Sequence, residues 1–183
     1  MDDSVKKKLA AIKLLISDVD GVMTDGAIYK NDTGDEYKKF SVLDGSGMAL
    51  ARSAKLKIAL ISGRYSKATD IRAKELRIKD LYNGTLDKIE PYLELKRKYN
   101  LHDKEIAYIG DDIIDLPVME KVGVPIAVAN AVDLVKKIAL YTTAKKGGDG
   151  TLREAIDWII YGQDRFEETL KIVRGKLYTT KKW

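Results

Sequence analysis

A chain of 183 residues is long enough for one domain with a substantial buried core. It contains no cysteine, which excludes disulfides, thiolate metal sites and cysteine nucleophiles, and a lone histidine, His102, argues against a Ser-His-Asp triad or a multi-histidine zinc centre. A net charge of +5, spread along the sequence, points to no nucleic-acid partner but suits a small anionic ligand.

In chain order, the N-terminal segment lacks the apolar stretch and cleavage site of a secretory signal, and no segment reaches the ~20 apolar residues of a membrane span. A soluble, cytoplasmic protein with no membrane association is expected. Short β-rich runs at 13–17, 57–62, 105–110 and 124–128, with shorter ones near Leu81 and Tyr141, alternate with helical patterns at 46–55, 66–76, 87–99, 112–121 and 132–138. A last helix, 151–161, starts at Thr151 as N-cap, with Glu154 completing a capping box. The alternation predicts an α/β fold, a doubly wound and mostly parallel sheet with helices on both faces.

One stretch, 26–42, breaks this rhythm: two short strands around Asn31-Asp32-Thr33-Gly34 read as a β-hairpin projecting as a flap. The boundaries expected are a single domain over 1–161 and a helical or flexible tail over 162–183, whose basic end, 175–183, is read as disordered.

The first strand candidate runs straight into three carboxylates, Asp18, Asp20 and Asp25. Clustered like charge raises its own pKa values and destabilises a fold unless a cation neutralises it. Two more apolar runs end in polar residues, at Ser62-Gly63-Arg64 and at Gly110-Asp111-Asp112, and ligands of open α/β sheets bind at the carboxyl ends of strands. Asp18, Asp20 and Asp111, with Asp112 and Asp115 nearby, offer the hard oxygen ligands that suit Mg²⁺. Ser62 and the Gly63 N–H can hold phosphate oxygens, and Lys88 supplies a fixed charge. A carboxylate facing a clamped phosphoryl group can attack phosphorus, while a second one, two residues later, serves as acid and base. An EF-hand loop fails here, because Val22 and Met23 occupy a ligand and the glycine position; no complete dinucleotide fingerprint is present.

The ordered set Asp18-Val19-Asp20-Gly21-Val22, Thr24-Asp25-Gly26, Ser62-Gly63-Arg64, Lys88 and Gly110-Asp111-Asp112-Ile113-Ile114-Asp115 resembles the haloacid dehalogenase superfamily of phosphatases. More narrowly, "DGAIY", "FSVLDGSG", "ISGRYS", "LPVMEKVG" and "GGDGTLREA" are similar to its Kdo (3-deoxy-D-manno-octulosonate) 8-phosphate phosphatase family over about residues 13–160. The resemblance implies that fold with a hairpin flap and no large cap domain, a homotetramer, and Mg²⁺-dependent hydrolysis of a phosphorylated sugar or sugar acid through an aspartyl-phosphate, in lipopolysaccharide biosynthesis. It implies Asp18 as nucleophile and metal ligand, Asp20 as acid/base and metal ligand through its backbone carbonyl, Asp111 as third metal ligand, and Asp112 and Asp115 as their support. Ser62, Gly63 and Lys88 would hold phosphate; Arg64, Arg72 and the segment Ser41, Val42, Leu43, Asp44 and Gly45, with Ala49, would meet the substrate.

Two positions depart from the family pattern: Leu43 and Ala49 stand where arginines are usual. Part of an anionic-sugar clamp is therefore missing, and Arg64, Arg72 and Arg153 are the residues expected to compensate. The alternatives are another sugar phosphate, such as a nonulosonate 9-phosphate, a receiver-like phosphoacceptor, or a non-catalytic module. A receiver has no use for a leaving-group acid such as Asp20.

Overall fold

The computed structural model describes residues 1–179. Its main sheet joins, in spatial order, β5 (Asp80–Asn83), β4 (Lys57–Ser62), β1 (Leu14–Ser17), β6 (Ile106–Gly110), β7 (Val124–Ala127) and β8 (Tyr141–Thr142), every neighbouring pair parallel. The central β1 is buried at every position, as a strand covered on both faces must be. Its neighbours β4 and β6 lie on opposite sides, with Ser17 in register with Leu60 and with Ile109. Strand order therefore reverses at β1, and a crevice opens beyond its carboxyl end.

The helices are α1 (Asp3–Ala10), α2 (Val42–Ser53), α3 (Lys67–Glu75), α4 (Ile89–Lys98), α5 (Leu116–Met119), α6 (Asp133–Ile138), α7 (Thr151–Gly162) and α8 (Phe166–Thr179). The sequence pattern placed most of them within a few residues but missed α1 and began α2 four residues late. The predicted helix 112–121 is a 3₁₀ turn, Ile113–Asp115, running into the short α5. The tail forms α8, which packs on α2 and α7; residues 180–183, the end of the basic stretch read as disordered, lie outside the described residues.

Leu152, Ala155, Ile156, Ile159 and Ile160 of α7 recur at helical spacing and are fully buried. Burial of each large aliphatic side chain contributes ~1.5–3 kcal/mol, so this face is the main anchor of α7. At Gly47 of α2 an added Cβ would lie 3.1 Å from the Arg153 Cα, so α2 and α7 approach closely where α2 carries no side chain.

The start of α7 differs from the expected capping box. Gly150 is the N-cap, in the left-handed region, and Thr151 is already helical. The Thr151 hydroxyl instead donates to the Lys146 carbonyl (2.7 Å), and Glu154 accepts from the Ala144 and Lys145 N–H groups. A capping acceptor comes from another element: Oδ1 of the buried Asp44 takes the Arg153 N–H at 2.9 Å.

The hairpin pairs β2 (Tyr29–Lys30) with β3 (Glu36–Tyr37) antiparallel, as a separate two-stranded sheet. Gly34, at a φ of 88°, makes the turn.

Candidate active site

Where β1 ends, the Asp18 N–H still donates to the Ile109 carbonyl of β6, so the strand ladder itself fixes the backbone of Asp18. The chain then folds back: the N–H groups of Val22, Met23 and Thr24 all converge on the Val19 carbonyl. Buried Val19, Val22 and Met23 anchor this loop in the core. Gly21 crosses it with a φ of 89°, and a Cβ there would lie 2.1 Å from the Asp111 carboxylate. Only glycine allows the two loops this proximity.

The loops bring Asp18, Asp111 and Asp115 together, one carboxylate oxygen of each lying within 4.8 Å of the others. Lys88, just before α4, is buried among them, its Nζ 2.7 Å from Asp18 Oδ1 and 2.6 Å from Asp115 Oδ1. Asp115 is saturated. Its Oδ1 also accepts from the Tyr108 hydroxyl (2.6 Å), and its Oδ2 accepts from the Asp111 and Asp112 N–H groups. It therefore supports the site rather than offering a free ligand atom. Asp112, exposed, caps the 3₁₀ turn through the Ile113 N–H.

Fully ionised, these three carboxylates would exceed the single ammonium by two negative charges. Oδ1 of Asp111 is buried with no hydrogen-bond donor. Burial, then the charge of Asp115, pushes the Asp18 carboxyl up to about 6; burial, then the charges of Asp18 and Asp115, pushes Asp111 to about 8. For Lys88, burial acts downward, but Asp18 and Asp115 outweigh it and the net shift is upward. A divalent cation bound by oxygen answers both the charge deficit and the orphaned acceptor, so the residues present fit Mg²⁺.

A cavity of about 310 Å³ lies against this cluster, lined by Asp18, Asp20, Gly63, Arg64, Asp111 and Asp112 with the apolar side chains of Ile28, Leu86 and Ile114. That is ample for a phosphoryl group and part of a sugar. Ser62 is fully buried behind it, its hydroxyl donating to the Arg64 carbonyl (2.9 Å).

Other predicted residues lie elsewhere. Asp25 stands apart from the cluster and accepts from the Tyr29 hydroxyl (2.7 Å) and the Ala27 N–H, bracing the hairpin base. Ser41 is the N-cap of α2; Val42 is exposed, and Leu43 lies against Gly150. Gly45 faces Arg72 and Leu76, and Ala49 is half-buried in α2. Arg72 donates to the Ser41 carbonyl (3.0 Å) and pairs with Glu75; Arg153 holds Asp157 and Ser46. None of these lines the cavity.

Two hairpin residues that the sequence reading missed do reach the site. Lys38 Nζ lies 2.6 and 2.8 Å from the two Asp20 carboxylate oxygens, and Glu36 pairs with Arg64. Neither carried a sequence signal, since Lys38 and Lys39 are adjacent and alike. Tyr108 was also overlooked, although a phenol inside an all-buried strand demands a hydrogen-bond partner.

A family model described as haloacid dehalogenase-like hydrolase matches residues 50–154. The 3-deoxy-D-manno-octulosonate 8-phosphate phosphatase KdsC of Yersinia pestis is 45% identical over 165 residues, 90% of this chain and 88% of that one. Its counterpart from Salmonella typhimurium is 42% identical over 164 residues, covering 90% and 87%. The crystal structure of the Moraxella catarrhalis 3-deoxy-D-manno-octulosonate 8-phosphate phosphatase, in complex with magnesium ion, phosphate ion and KDO, superposes with a TM-score of 0.89 at 35% identity, over 94% of this chain and 99% of that one. With that fold and those relatives, the chain belongs to the haloacid dehalogenase-like hydrolases.

Proposed function

We propose that this protein is a Mg²⁺-dependent phosphatase that hydrolyses Kdo 8-phosphate to Kdo and inorganic phosphate in the cytoplasm. The observation that carries the reading is the buried Asp18–Lys88–Asp115 arrangement beside Asp111, three carboxylates to one ammonium, at the mouth of a cavity. The relatives, named for that substrate, supply its identity. No helix among the described residues is long and apolar enough to cross a membrane.

In this reading Asp18, Asp111 and the backbone carbonyl of Asp20 would hold Mg²⁺, which when bound would supply positive charge against the phosphate oxygens. Lys88 engages Oδ1 of Asp18 and fixes the rotamer, leaving the other oxygen to attack phosphorus. The bond from phosphorus to the sugar oxygen breaks, and Asp20 gives that oxygen its proton. Water then attacks the aspartyl-phosphate, Asp20 takes the proton back, and phosphate leaves with Asp18 restored. The Gly63 N–H and Lys88 hold the phosphoryl oxygens, while Ser62 keeps the loop from Ser62 to Arg64 in shape. Asp115 anchors Lys88 and the Asp111 backbone, and Asp112 caps the turn between them.

The assembly is proposed to be a homotetramer. Ile28, Tyr29 and Tyr37 of the hairpin region, with Val42 and Leu43 at the start of α2, are exposed, an apolar surface that suits burial against another copy. Packing of that kind would also give Ser41–Gly45 and Arg72 a neighbour's substrate to meet. The test is release of inorganic phosphate from Kdo 8-phosphate, with Mg²⁺ and after its removal by chelation, by wild type and Asp18→Asn. The reading requires turnover by wild type with Mg²⁺ alone.

A further inference from the structure

Four charged side chains link the hairpin to the cavity in an unbroken row. Asp20 accepts from Lys38 with both oxygens, at 2.6 and 2.8 Å. The Lys38 side chain is almost wholly buried, and its Nζ also lies 4.0 Å from Glu36 Oε1. That Glu36 oxygen is buried and takes no hydrogen bond, although Ser66 stabilises the carboxylate as a whole. Glu36 spends its other oxygen on Arg64, which is partly exposed and lines the cavity beside Asp18 and Asp20.

This row is poorly satisfied as it stands. Asp20 is tied to an ammonium, which hinders it from approaching a leaving oxygen. Glu36 holds Arg64 with one oxygen and leaves the other stranded 4.0 Å from Lys38, where an approach of about 1 Å would complete a charge-assisted hydrogen bond. Arg64, the one cation facing the cavity among the residues that line it, is already occupied by a carboxylate.

We propose that Glu36 and Lys38 are specificity-determining positioning residues that release Asp20 when the substrate carries a carboxylate. The inference rests on the phosphatase reading above. A substrate carboxylate takes Arg64 in place of Glu36. Glu36, freed, closes on Lys38; Lys38 then leaves Asp20, whose carboxyl is free for the leaving oxygen. The exchange itself changes no covalent bond, since each cation swaps one carboxylate for another. Asp20, no longer paired with an ammonium, takes from solvent the proton it gives the leaving oxygen, regains one from the attacking water, and returns it to solvent when Lys38 pairs with it again. A neutral sugar phosphate cannot start the exchange, so it is discriminated against in kcat as well as in KM. The row thereby supplies selectivity that Leu43 and Ala49 do not.

The test compares kcat for Kdo 8-phosphate and glucose 6-phosphate, both primary-alcohol esters, in wild type, Glu36→Gln, Lys38→Met and Lys38→Arg. Wild type should favour Kdo 8-phosphate in kcat by at least about tenfold, inside the ~10²–10⁴ that acid–base catalysis supplies. Glu36→Gln, unable to draw Lys38 away, should bring that ratio close to one by losing kcat on Kdo 8-phosphate. Lys38→Met, with Asp20 never tied, should bring it close to one by gaining kcat on glucose 6-phosphate. Lys38→Arg should keep the preference. Aspartyl-phosphate formation from p-nitrophenyl phosphate, whose leaving group needs no acid, verifies a folded site in each variant. A wild-type kcat ratio near one, or a ratio that survives in folded Glu36→Gln and Lys38→Met, overturns the exchange and leaves the phosphatase reading standing. Absence of turnover on every substrate overturns both.

Discussion

Lys88 Nζ and Asp18 Oδ1 lie 2.7 Å apart with both side chains almost wholly shut off from water, although 70 residues separate them in sequence. The pair ties the N-terminus of α4 to the end of β1, and Asp115 closes it from a third element. Removing one partner of a buried ion pair leaves the other uncompensated and costs ~3–5 kcal/mol. Lys88→Met should therefore lower stability by that order and abolish turnover. Lys88→Arg keeps the charge but not the point geometry, so it should retain more stability than activity. Urea unfolding beside phosphate release separates the two losses.

Asp18 and Asp111 give the metal-free protein a particular pH dependence. Their carboxyls are pushed up to about 6 and about 8 by burial and by neighbouring carboxylates. A raised carboxyl pKa stabilises the fold where the group is protonated. The contribution is full below the unfolded value of about 3.9 and is lost as pH climbs through the folded values. In chelator, the melting temperature should fall between pH 5 and pH 8 as these groups ionise. Added Mg²⁺ should raise it more at pH 8 than at pH 6, because protons compete for the same oxygens. Melting curves at the two pH values, with and without Mg²⁺, check the sign; a metal effect larger at pH 6 would contradict the site.

Asp20 is expected to separate binding from chemistry. Its proposed metal contact is a backbone oxygen, so Asp20→Asn should keep Mg²⁺ affinity within a small factor. Loss of the acid/base should lower kcat by ~10²–10⁴. Titration calorimetry with Mg²⁺ and steady-state kinetics on one preparation give both quantities.

The parallel sheet was legible because each buried strand is a short apolar run ending in a small or charged residue: Leu14–Ser17, Lys57–Ser62 and Ile106–Gly110. The same endings disclosed Asp18, Ser62 and Asp111, since a strand end fixes a position to within a residue. The α1 helix was not legible, because "DSVKKKLA" is a short, mostly polar segment that buries only Leu9. Lys38 and Glu36 escaped for a different reason. A two-residue strand pair has no pattern that says which side chains fold back over the sheet, and that choice is made by Asp20 and Arg64, far away in sequence. Asp44 was placed with the substrate by likeness to a family segment, whereas its carboxylate faces the start of α7.

Asp44 makes the last prediction. Burial pushes its carboxyl up to about 6, even though the Arg153 N–H and the charges of Arg72 and Lys145 pull it down. One oxygen takes the Arg153 N–H; the other is buried without a partner. At neutral pH the chain thus carries a buried charge with half its acceptors unused, held because it caps α7 where Gly150 cannot. Asp44→Asn keeps an acceptor for Arg153 and removes the charge, so it should stabilise the protein at pH 8 and lose that advantage below about pH 6. Asp44→Ala removes the cap as well and should cost ~0.5–2 kcal/mol at pH 5, where the charge no longer counts. Chemical denaturation of the three proteins at pH 5 and pH 8 resolves both effects. An Asp44→Asn variant that loses Kdo 8-phosphate affinity without a change in stability would return Asp44 to the substrate.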